Sequence, residues 1–77
     1  MRGYAQSIIE ANKKAKETTG TVFGKMCIAR KYPASQVAKE LNVSRQTVYD
    51  WFSGKTIPSK RFDILIKELA VRLNTIR

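Results

Sequence analysis

Ser44, Arg45, Gln46, Tyr49 and Asp50 stand close together in the middle of the chain and bring hydrogen-bonding groups of several kinds to one short stretch. Arg, Gln, Asp and Ser are residue types that read base edges in a DNA major groove. Arg45 can reach guanine O6 and N7 with two parallel hydrogen bonds, and the Asp50 carboxylate can accept from the amino group of cytosine. Tyr49 can meet a thymine methyl or the DNA backbone. Each has a competing use. Arg45 can clamp a phosphate, which carries no sequence information, and Tyr49, at the edge of the set, can finish a core. Gln46 and Asp50 stand at i and i+4, so they can bond each other along a helix.

Bond-making chemistry has little to work with. The chain has no His, and its six Asp and Glu are scattered, so no catalytic residue is expected. Its single thiol, Cys27, can neither close an internal disulfide nor by itself complete a tetrahedral metal site. Cys27 therefore reads as a core residue of a fold without metal or cofactor, in a reducing compartment.

The base-reading set needs a helix to carry it, and the flanking residues supply one. Pro33 biases Tyr32 away from helical torsions, so a preceding helix stops there, and Ser35 is expected to cap a new one. Val37, Ala38 and Leu41 then share an apolar face, while Lys39 and Glu40 fall on the wet side. Asn42 enters the left-handed region at tolerable cost and makes a sharp turn, with Val43 as its plug. Ser44 caps a second helix through Phe52 or Ser53, and Gly54 ends it. At about 100° per residue, Val48, Trp51, Phe52 and Thr47 form one face of that helix. Gln46, Ser53 and Asp50 turn the other way, with Tyr49 and Arg45 at the flank.

The stretch VAKELNVSRQTVYDWFSGKTIPS resembles the helix-turn-helix of the Cro and cI family of phage repressors and their bacterial relatives. The matching positions are the small Ala38, Asn42 at the turn, and Val48 and Trp51 in the second helix, joined by Val37, Leu41 and Val43. The tail WFSGKTIPS is similar to the family's W-x-x-G-x-x-x-P ending. Asn42 stands where the family more often has Gly, a change the turn tolerates. The likeness runs from about Val22 to Leu69, and its specific part is the stretch quoted. It implies a compact all-α, lambda-repressor-like DNA-binding domain of four to five helices. It also places base contacts at the start of the second helix and one turn later, on Ser44, Arg45, Gln46, Tyr49 and Asp50. Backbone contacts come from the start of the first motif helix and the loop after the second. The phosphate candidates are accordingly Gln36, Thr47, Lys55, Thr56, Ser59, Lys60 and Arg61, of which Thr47 and Ser59 also have local uses as intrahelical bond and helix cap.

The rest of the chain is read as support. Its 77 residues suffice for one domain with one small core, and not for an enclosed substrate cavity as well. Within residues 1–77 the expected parts are an N-terminal helical extension over 1–19, the helix-turn-helix over 35–53 and a C-terminal helix over 59–76. The extension holds a weakly amphipathic helix from about Tyr4, with Ile8, Ala11 and Ala15 on one side and Lys13, Lys14 and Lys16 near its end. Residues Thr18 to Thr21, with Gly20, read as a break. A scaffold helix from about Thr21 to Lys31 follows, slightly weakened by Gly24. In the last helix Phe62, Leu65, Ile66, Leu69, Leu73 and Ile76 form the core stripe, capped by Ser59. Ile64 and Val71 lie on nearly the opposite side, as a contact for a second copy, for the N-terminal helix, or simply as isolated exposed side chains.

Fifteen Lys and Arg against six Asp and Glu give a net charge of +9, a balance that suits a polyanionic partner. No apolar run approaches membrane-spanning length and no signal peptide is evident, so a cytoplasmic protein is expected, nucleoid-associated or in the host cytoplasm if phage-encoded. The resemblance implies a transcriptional regulator of repressor type, bound to double-stranded DNA as a homodimer on an inverted repeat, in a phage or mobile-element setting. No small-molecule effector is evident. Two alternatives stay open: an excisionase-like accessory protein of recombination or replication, and an antitoxin or anti-defence module whose helix-turn-helix only autoregulates its operon.

Overall fold

The computed structural model describes residues 4–75, and all the regular structure among them is helical. Five helices follow in order: α1 (Gln6–Lys14), α2 (Thr19–Arg30), α3 (Ala34–Leu41), α4 (Arg45–Ser53) and α5 (Lys60–Thr75). Residues 1–3 of the expected N-terminal extension and the Ile76 end of the last stripe lie outside the described residues.

The boundaries follow from local chemistry, and two differ from expectation. Thr18 to Thr21 is no break. Thr18 caps α2 reciprocally: its hydroxyl accepts from the Thr21 amide at 3.2 Å, and its own amide donates to Thr21 Oγ1 at 2.8 Å. The threonine oxygens thus satisfy orphan amides of a helix start. The second difference is at α3, where Pro33 in place of Ser35 occupies the capping position, with no side-chain cap. The Pro33 carbonyl accepts from the amides of Gln36 and Val37, and Ala34 is buried in the core. Burial of Ala34 carries the helix start ahead of Ser35, which is left exposed in the first turn.

The turn itself forms as read. Asn42 is left-handed at φ 58°, ψ 47°, and the Val43 amide bonds back to the Ala38 carbonyl at 3.0 Å. Ser44 Oγ accepts from the Thr47 amide at 3.2 Å, which starts α4. Gly54, at φ 81°, ends it in a conformation that other residues reach only with strain.

A single core fills the space between the helices. Phe23 and Cys27 from α2, Val37 and Ala38 from α3, Val48, Trp51 and Phe52 from α4, and Ile66, Leu69 and Leu73 from α5 are all buried. Burial pushes the Cys27 thiol up to about 12, so it remains protonated and serves packing. Phe52 lies at the centre, its ring 6.0 Å from those of Phe23 and Tyr4. Gly24, expected only to weaken α2, is what lets α2 approach this ring: a Cβ there would lie 2.7 Å from Phe52 Cγ.

The expected N-terminal extension is built into this arrangement. Asn12, buried on α1, donates through Nδ2 to the carbonyls of Phe52 at 2.7 Å and Thr21 at 2.9 Å. Tyr4 Oη donates to the Tyr32 carbonyl, which ties the approach to α1 to the end of α2. α4 is therefore gripped by α1, α2 and α3 on its inner side.

Candidate nucleic-acid interface

One side of α4 is held and the other is presented. Val48, Trp51 and Phe52 are buried, and Trp51 packs at 5.4 Å against the ring of Phe62 on α5. The helix backbone that carries the outward residues is held in place by this packing. Ser44, Arg45 and Gln46 are exposed at the start of α4, and Asp50 follows one turn later, half-buried.

The competing local uses are visible in the geometry. Gln46 Nε2 donates to Asp50 Oδ1 at 2.9 Å. That bond uses one of the amide's two N–H groups and leaves the other, with the carbonyl oxygen, outward. The Asp50 carboxylate accepts that bond and keeps lone pairs for a further donor. Ser44 Oγ and Thr47 Oγ1 lie 2.9 Å apart, so both hydroxyls are engaged in the cap. Tyr49 is half-buried and packs against the core. Arg45 has no carboxylate within ion-pair distance among the described residues, and it is the donor of the set most ready for a new partner.

The phosphate candidates separate into two groups. Lys55, Thr56, Ser59, Lys60 and Arg61 are exposed along the loop after α4 and the first turn of α5. The loop is folded back on α4, since the amides of Lys55 and Thr56 both donate to the Asp50 carbonyl, at 2.9 and 3.3 Å. Arg61 lies over the Phe62 ring at 5.5 Å. Gln36 and Thr47 are instead occupied. Gln36 Nε2 donates to Glu40 Oε2 at 3.1 Å, and Tyr32 Oη donates to the same oxygen at 2.6 Å. The Tyr32 hydroxyl, then Gln36, hold the Glu40 carboxyl below its usual value, and burial followed by Glu40 pushes Tyr32 up to about 12. The bond to Glu40 engages one N–H of the Gln36 amide and leaves the other for a further acceptor.

A family profile described as helix-turn-helix matches residues 25–75. The chain belongs to the Cro/cI-type helix-turn-helix family. No curated protein and no solved structure matches it. Membership makes this helix-turn-helix a DNA-binding domain of the transcription-regulator type, with double-stranded DNA as its partner. The matched span begins inside α2, so α1 lies outside it.

Several features of this helix-turn-helix domain lay beyond sequence reasoning. Asn12 fixes the end of α4, yet an Asn in a weakly amphipathic helix reads as solvent-facing, and only its contact with Phe52 reveals the role. A groove of about 560 Å³ runs between α2 and α5, bordered by Val22, Phe23, Met26, Ile66 and Ala70. Ile64 and Val71, by contrast, are exposed on α5 at 53% and 62%, on the side where the sequence pattern put them. No helix among the described residues is long and apolar enough to cross a membrane.

Proposed function

We propose that the chain is a sequence-specific transcriptional regulator of repressor type that acts by occupying its site, with α4 as the recognition helix in the major groove. The observation that carries this reading is the division of α4 into a buried Val48, Trp51 and Phe52 face and an exposed first turn bearing Arg45 and Gln46. A rigid helix with donors at its outer end is the device by which one protein discriminates base pairs. Ser44, Arg45, Gln46, Tyr49 and Asp50 are the base-reading set, with Arg45 as the principal reader. Lys55, Thr56, Ser59, Lys60 and Arg61 hold the backbone, joined by Gln36 and Thr47. A homodimer on an inverted repeat, joined through the exposed Ile64 and Val71, completes the proposal.

Selection of bound sequences from a random duplex library at near-physiological salt tests it, because non-specific affinity has fallen there. A palindromic motif supports the dimeric regulator, and failure to enrich any motif overturns sequence-specific recognition. On the selected site, Arg45→Ala should relax preference at one base pair, a loss of about 1–3 kcal/mol of discrimination. A uniform loss across all sequences would instead make Arg45 a phosphate contact.

A further inference from the structure

α1 lies outside the matched span, yet it is bolted to the end of the recognition helix. Asn12 bonds the Phe52 carbonyl at 2.7 Å, and a Cβ on Gly54 would come within 2.9 Å of Ala15 Cβ. The Lys16 carbonyl accepts from Thr21 Oγ1 at 2.7 Å. The C-terminal ends of α1 and α4 therefore meet at the start of α2. Lys14 and Lys16 flank Ala15, with Cα atoms about 3.8 Å to either side of its own, while Lys55 follows Gly54. All three lysines are exposed, and none has a carboxylate within ion-pair distance among the described residues.

Electrostatics gives this convergence a consequence. Two helix C-terminal poles, each equivalent to roughly half a negative charge, meet in the same small region, and the N-terminal pole of α2 offsets only one of them. Lys14, Lys16 and Lys55 reverse the sign, although Glu17 follows Lys16, Glu10 stands one turn before Lys14 and Asp50 one turn before Lys55. The position also suits a duplex. At about 1.5 Å per residue, the end of α4 lies roughly 12 Å from its first turn, close to the width of a major groove, so a helix whose start is in the groove brings its end to the phosphate wall.

We propose that the C-terminal end of α1 is a second grip on the DNA backbone, in which Lys14 and Lys16 act with Lys55 on phosphates beside the end of the recognition helix. This rests on the duplex-DNA reading above and adds to it a surface from outside the matched span. These contacts strengthen binding to every sequence alike and leave base preference unchanged.

The test measures how affinity depends on salt, for the full chain and for Lys14→Ala/Lys16→Ala, on the selected duplex and on a scrambled one of equal length. Loss of two phosphate contacts should flatten the slope of log affinity against log salt by about 1.8 and lower affinity equally on both duplexes. A control variant, Lys25→Ala/Lys39→Ala, removes the same charge from elsewhere and should flatten the slope far less. Equal flattening by the control would reduce the effect to net charge and overturn the proposal, as would a wild-type slope in Lys14→Ala/Lys16→Ala while Arg45→Ala still weakens the selected duplex. Failure of the unmodified chain to bind either duplex would instead remove the DNA reading itself. Far-UV circular dichroism verifies that each variant is folded, and Lys14→Gln/Lys16→Gln, which keeps the side chains long and polar, serves if the alanine pair is not.

Discussion

The α3–turn–α4 unit and α1 are two neighbouring regions made by different means. In the first, nearly every boundary is set by a residue within it: Asn42 makes the turn, Ser44 caps α4 and Gly54 stops it. α1 has no side-chain cap, only nine residues, and a tie through Asn12 to Phe52, forty positions away. Short helices are marginal alone and take their stability from packing. The difference is that the recognition unit carries its own instructions, whereas α1 exists because the rest of the fold gives it a place.

That contrast can be broken at the shared core. Trp51→Ala should cost about 3–5 kcal/mol in denaturant unfolding, because it empties a buried site against Phe62 in the core that holds α4. Near-neutral stability would mean that the inner face of α4 is not the core. Asn12→Ala sharpens the comparison: it leaves the Phe52 carbonyl without its side-chain partner and should cost about 1–3 kcal/mol. Hydrogen exchange should then rise in α1 well before it rises in α3 and α4; a uniform rise would show that the regions unfold as one.

Gly24→Ala separates propensity from packing. In an open helix the change would stabilise by about 1 kcal/mol. Here the added carbon meets the Phe52 ring, so a net loss of about 1–2 kcal/mol is expected from thermal melting, and a gain would show that α2 and α4 are less closely packed than the structure has them. The smallest effect concerns Glu40, whose carboxyl is held below its ordinary value of 4.5 by Tyr32 and Gln36. Its contribution to stability is complete above that value and drains as the pH falls through the lowered folded value. Glu40→Gln should flatten the acid limb of the stability curve, leaving the share of Asp63, which is lowered likewise. An unchanged limb would show that the bonds of Tyr32 and Gln36 to Glu40 do not hold in solution.

From the residues alone came the all-α class, the turn at Asn42, the buried Val48, Trp51 and Phe52 face, and the outward placement of Arg45 and Gln46. These rest on short-range chemistry, because a cap, a left-handed turn and a helical period are each decided within a few neighbouring residues. Only the tertiary structure decided that Pro33 and Ala34, ahead of Ser35, begin α3, that Gly24 is a contact surface, and that Asn12 joins α1 to the end of α4. It also showed Gln36 and Tyr32 both donating to Glu40, where the sequence offered a free phosphate donor. In each of these cases the deciding atoms belong to a different turn or a different helix. Burial of Ala34, the ring above Gly24 and the carbonyl facing Asn12 arise only when the helices pack, so the physical cause is absent from any local window of the chain.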